Sequence, residues 1–122
     1  MLLFPGEDAH YRGKPGYELL NTETGPLLVC SGSCERAERP LSCRLFPLLP
    51  VLRAEGVKVA MDARARAACP LAVQGIRGLS EAFVEAVRQA GHALMEDDVQ
   101  CAFLKRLTEE QDELRALQKR FR

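Results

Sequence analysis

The residues in this sequence best suited to chemistry are its cysteines. Cys30, Cys34 and Cys43 fall within VCSGSCERAERPLSCRLFP (29–47), Cys69 follows with Pro70 directly behind it, and the spacing is C-x3-C-x8-C-x25-C. Zinc takes four nitrogen or sulfur ligands in a tetrahedron, often from C-x2-C pairs that bend round the ion. A C-x3-C pair is less usual, but Ser31-Gly32-Ser33 lies between the first two thiols, and glycine tolerates the positive φ of a tight turn. Backbone N–H groups in such a turn would point at the sulfurs and stabilise thiolates. Four cysteines without histidine suit an iron–sulfur cluster as well, and a Cys-Pro pair ends the ligand run of bacterial ferredoxins. Zinc and iron both stay open on spacing. The blander alternative is a set of buried thiols that only pack, because cysteine is often interior; three cysteines so close together argue against it. For Cys101, on a helical stretch four residues before Lys105, packing is the better reading, and it should lie apart from the other four.

Other reactive types are weaker candidates. His10 is distant from the cysteines in sequence, in a turn that could fold back, and a surface role outweighs ligation. His92 follows Gly91 on a late helical stretch and should be exposed. Glu7 and Asp8 form no acid/base pair. Arg39, Arg44, Arg64 and Arg66 surround the thiols in sequence, where cations would lower thiolate pKa values and offset a cluster's negative charge, or would simply be solvated. The sequence holds no G-x-x-x-x-G-K, G-x-G-x-x-G, G-x-S-x-G or H-E-x-x-H.

The elements that must position the thiols follow from local pattern. Glu7–Tyr11 reads as one helical turn ended by Gly13. Tyr17–Leu20 and Pro26–Val29 read as a hairpin about the turn residues Asn21 to Gly25, which would deliver Cys30 at its end. Pro40 suits the first position of a short helix over Leu41–Phe46, with Leu41 and Leu45 on one face and Cys43 pointing elsewhere. Leu48–Arg53 and Val57–Met61 read as a second hairpin around Ala54-Glu55-Gly56. Asp62 then caps the short DARARAA turn that leads to Cys69. Ser80 caps a helix near 80–95 carrying Leu79, Phe83, Val87, Ala90 and Leu94. Asp97 or Asp98 caps another near 98–120, with Val99, Phe103, Leu107, Leu114, Leu117 and Phe121 on one stripe. The expected fold class is α+β: a small loop-rich cysteine knuckle with two short hairpins, then two C-terminal helices. The expected organisation is a cysteine-cluster region over 1–75 and a helical region over 76–122 packing on it as one compact domain.

Composition limits the function classes. The 122 residues suffice for one modest core, and 47% hydrophobic with 28% charged residues marks a globular chain. Seventeen basic and seventeen acidic residues balance to zero net charge, which argues against a nucleic-acid binder, as does the absence of Trp. No apolar run reaches the ~20 residues that span a membrane, and MLLFPGEDAH does not read as a signal peptide. A cytoplasmic location follows, in which clustered cysteines are metal ligands or catalytic groups rather than disulfides. The amphipathic C-terminal helix would project, pack on a protein partner, or self-associate.

Taken together, CSGSCERAERPLSCRLFPLLP, the later D-A-R-A and Cys-Pro-Leu resemble the YkgJ-like bacterial cysteine-cluster family, described as zinc- or iron-chelating. The shared positions are Cys30 and Cys34, Arg39-Pro40, Cys43-Arg44, Phe46-Pro47 and Cys69-Pro70, and LFPGE (3–7) is similar to the family's L-x-P-x-E segment. The resemblance covers roughly residues 2–71. Family members usually carry a further C-x-x-C-x-x-C-C run ahead of that segment, which has no counterpart here. The resemblance implies metal binding; the expected ligands of zinc or iron are Cys30, Cys34, Cys43 and Cys69, and the absence of a nucleotide motif or acid/base constellation favours a structural role for the metal. The alternative is an iron–sulfur redox protein or oxidoreductase subunit.

Overall fold

The computed structural model describes residues 1–23, 25–30, 38–65 and 75–121. Its elements are α1 (Asp8–Tyr11), β1 (Tyr17–Asn21), β2 (Pro26–Cys30), α2 (Leu41–Leu45), β3 (Leu48–Arg53), β4 (Gly56–Met61), α3 (Glu81–Met95) and α4 (Asp98–Arg120). Two antiparallel hairpins followed by two C-terminal helices make this an α+β chain. It divides into two compact units, Met1–Leu45 and Phe46–Arg122, so the second hairpin groups with the helices and the division falls earlier than the change of sequence character near residue 75.

In the first unit, β1 and β2 pair from Tyr17 opposite Cys30 to Asn21 opposite Pro26. The N-terminal residues add a short third strip along β2. Leu2 bridges Leu27, Leu3 N donates to Pro26 O at 3.0 Å, and Leu28 N donates to Met1 O at 2.8 Å. Alternation along β1 sends Tyr17 and Leu19 inward and leaves Glu18 and Leu20 exposed, as a half-buried strand requires. The inward side chains pack on a core of Leu3, Tyr11 and Leu28. Tyr11 and Tyr17 meet as tilted rings with centroids 5.1 Å apart, a favoured aromatic arrangement.

In the second unit, β3 and β4 pair from Leu48 opposite Met61 to Arg53 opposite Gly56. Gly56 sits at φ +119°, a conformation that side chains resist, and so closes the tight turn after Ala54 and Glu55. Helix α3 begins at Ser80, whose Oγ accepts from Phe83 N at 3.1 Å. Val87 and Gly91 are its buried residues, and it packs on β3 and β4. Gly91 is there because nothing larger fits: a Cβ at this position would lie 2.6 Å from Val57 Cγ1 and 2.7 Å from Pro50 Cβ. Asp97 is the cap of α4, its Oδ1 accepting from Val99 N and Gln100 N.

Helix α4 buries only part of its apolar stripe. Phe103 and Leu104 are buried and Leu107 and Leu114 half-buried, but Val99 (64%), Leu117 (48%) and Phe121 (86%) are exposed. Beyond Leu107 the helix holds the second hairpin with polar groups instead. Thr108 Oγ1 accepts from Leu52 N at 3.0 Å, and Asp112 receives both terminal nitrogens of Arg53 at 2.7 and 3.0 Å. Gln111 Oε1 accepts from Ala63 N at 2.9 Å, Arg115 donates to Met61 O at 2.6 Å, and Gln118 donates to Ala63 O at 2.7 Å. These groups recur every three or four residues, the spacing of one helix face. Apart from Asp112, which holds the Arg53 side chain, they answer backbone groups of the hairpin and its exit.

Candidate metal centre

Two of the four expected ligands fall where the structure describes the backbone. Cys30 is the last residue of β2, opposite Tyr17. Cys43 is the third residue of α2, half-buried and in no disulfide, as is Cys101 on α4. Cys34 and Cys69 lie outside the described residues, as do Arg66 and the two alanines that end the DARARAA turn. Among the described residues, no three His, Cys, Asp or Glu side chains converge as metal ligands would.

The segment that carries Cys43 is fixed at several points within the first unit. Leu41 N donates to Glu7 Oε2 at 2.9 Å, and Ser42 Oγ donates to Leu2 O at 2.7 Å. The Tyr11 hydroxyl donates to Glu38 O, at the start of the segment. His10 Nε2 lies 2.8 Å from Glu38 Oε2, and Lys14 Nζ lies 2.7 Å from the same oxygen. Lys14 and then His10, as hydrogen-bond partners, hold the Glu38 carboxyl below the usual range. His10 therefore does fold back towards the cysteine stretch, but it contacts the carboxylate of Glu38.

Burial pushes the Tyr11 hydroxyl up to about 12 from 10.0, and the negative charges of Glu7 and Glu38, the Tyr17 phenol and the Cys43 thiol add to the shift. A cavity of about 300 Å³ beside α2 is lined by Glu7, His10, Tyr11, Arg39, Leu41 and Arg44. Arg44 Nε donates to Arg39 O at 3.0 Å, which folds its guanidinium back along the segment. Arg64, by contrast, serves Asp62: its backbone N and Nε reach Asp62 Oδ1 at 2.8 and 3.2 Å and Nη2 reaches Oδ2 at 3.0 Å. Burial raises the Asp62 carboxyl, but these bonds outweigh it and leave the group below its ordinary range. Asp62 accepts from the amide two residues on, as in an Asx-type turn.

The anchoring residues Tyr11 and Glu38 carry no sequence signal as a pair. Glu38 sits in a charged stretch that reads as exposed, and Tyr11 at the end of one short helical turn. No described helix is long and apolar enough to cross a membrane. Compared with known proteins, the chain matches no family model, no curated protein and no solved structure.

Proposed function

We propose that this chain is a metal-binding cysteine-cluster protein that uses Cys30, Cys34, Cys43 and Cys69 to hold zinc or iron in a structural role. The observation that supports the reading most is the placing of Cys30 and Cys43. One ends a paired strand and the other lies on a helix whose leading residues are tied to the same unit, so the 30–43 stretch is anchored at both ends. The donor chemistry fits: Cys43 is a thiol in no disulfide, and thiolates are ligands for zinc and for iron–sulfur clusters alike. The resemblance to the YkgJ-like family supports the same four residues. A bound metal would neutralise the thiolates; the chain's own residues supply the anchoring. The reading suits a reducing cytoplasm. The exposed Leu117 and Phe121 at the end of α4 leave that end open to a protein partner or a second copy.

The Cys69-Pro70 pair favours an iron–sulfur redox protein as the second reading. Anaerobic purification with metal analysis and a visible spectrum separates the two. A colourless protein carrying zinc supports the first, and a brown protein with sulfur-to-iron charge-transfer bands and inorganic sulfide supports the second. A chain that takes up neither metal defeats both.

A further inference from the structure

Glu38, at the start of the described part of the Cys43-bearing segment, is gripped by α1 and the turn after it through both backbone and side chain. Tyr11 takes its carbonyl, while Lys14 Nζ and His10 Nε2 share one oxygen of its carboxylate at 2.7 and 2.8 Å. Lys14 Nζ also lies 3.1 Å from His10 Nε2. The imidazole nitrogen can accept from the ammonium or donate to the carboxylate, but not both at once. In either state Lys14 keeps its own bond to Glu38. From Glu38 the chain runs through Leu41 and Ser42, each tied to the N-terminal residues, directly into Cys43.

We infer that Lys14 and His10, acting through Glu38, form a latch that positions Cys43 for metal binding. The inference rests on the metal reading above. The side chain of His10 is 54% exposed and those of Lys14 and Glu38 are each 36% exposed, so the latch adds little to overall stability, because solvent-accessible ion pairs contribute weakly. Its effect falls on ligand placement, where partners one shell out from a metal typically change affinity by 10–100-fold. The residues named are positioning residues; none is a ligand.

The test is an anaerobic cobalt(II) titration of the full chain, read by thiolate-to-cobalt charge transfer and by competition with a chelator. Wild type, Glu38→Gln, Lys14→Met and the double variant are compared. The latch predicts that each single variant weakens cobalt binding on the order of ten-fold. It also predicts that the double variant is no weaker than the poorer single, because both remove the same contact. Metal-free unfolding of all four, followed by tyrosine fluorescence, should stay within about 2 °C of wild type. Variants that bind cobalt like wild type overturn the latch and leave the metal reading standing. Affinity losses matched by equal losses of metal-free stability reduce it to general folding support and overturn it too. A wild-type chain that binds no cobalt through its thiols removes the metal reading, and the latch with it.

Discussion

Glu7 and Leu41 stand 34 residues apart and are joined by one hydrogen bond, Leu41 N to Glu7 Oε2 at 2.9 Å. The other oxygen of the same carboxylate accepts from Phe4 N at 2.7 Å. A single side chain therefore ties the N-terminal turn to the first residue of the helix that bears Cys43. Glu7→Ala strands two part-buried amides and should cost about 1–3 kcal/mol. Both tyrosines, Tyr11 and Tyr17, lie in the first unit, so their fluorescence reports it selectively. Denaturant unfolding of Glu7→Ala should show an earlier tyrosine transition, while far-ultraviolet circular dichroism, dominated by α3 and α4, keeps its midpoint. Coincident loss of both signals would mean that Glu7 matters to more than its own unit.

Gly91→Ala tests the packing of α3 on the second hairpin. The added carbon would meet Val57 and Pro50 at under 3 Å, and one of these contacts is a ring carbon with little freedom to yield. Overpacking of this kind costs about 1–3 kcal/mol. With both contacts under 3 Å it should exceed the roughly 0.5–1 kcal/mol that alanine gains over glycine in a helix, and the sign is therefore destabilising. The circular-dichroism midpoint should fall. A stabilised Gly91→Ala would show that helix and hairpin are not held so closely.

Thr108→Val keeps the shape of the side chain and removes the acceptor for Leu52 N. The expected cost is about 1–3 kcal/mol for the stranded amide. Hydrogen exchange at Leu52 is the specific readout: it should quicken, while amides of β1 and β2 keep their protection.

The Tyr11 hydroxyl sets an alkaline limit on the first unit. Its folded-state value of about 12 exceeds the ordinary 10.0, chiefly through burial. The stability tied to the neutral phenol is therefore complete below pH ~10 and is lost as pH rises towards about 12. Tyrosine fluorescence during denaturant unfolding at stepped pH should show this decline in wild type. Tyr11→Phe should flatten that window, although it lowers stability at every pH by removing the bond to Glu38. An unchanged pH profile in Tyr11→Phe would assign the alkaline transition elsewhere.

The pattern of elements was readable because hairpins and helices announce themselves locally. Turn residues at 21–25 and 54–56 and the caps Ser80 and Asp97 place them to within a residue or so. What could not be read was the use of polar side chains over long sequence distances. Gln111, Asp112 and Arg115 sit in a charged stretch that resembles any solvated helix face, yet they hold Ala63, Arg53 and Met61. The apolar period through Leu117 and Phe121 is real in sequence, but burial stops where the hairpin's backbone asks for hydrogen bonds rather than for hydrophobic contact. At the candidate centre, the cysteine spacing named the residues. The anchoring of Cys43 by Glu7, Tyr11 and Glu38 depends on contacts more than twenty residues apart in the chain, which no local pattern encodes.

Metal retention is the most direct test of the proposed function. The full chain, its Cys43→Ser variant and its Cys101→Ser variant are each loaded anaerobically with zinc or iron, dialysed against buffer, and assayed for metal per chain. The proposal predicts one ion or one cluster on wild type and on Cys101→Ser, and clear loss from Cys43→Ser, which lacks one thiolate. Equal metal on both variants, or none on wild type, would contradict it and leave the clustered thiols as packing groups.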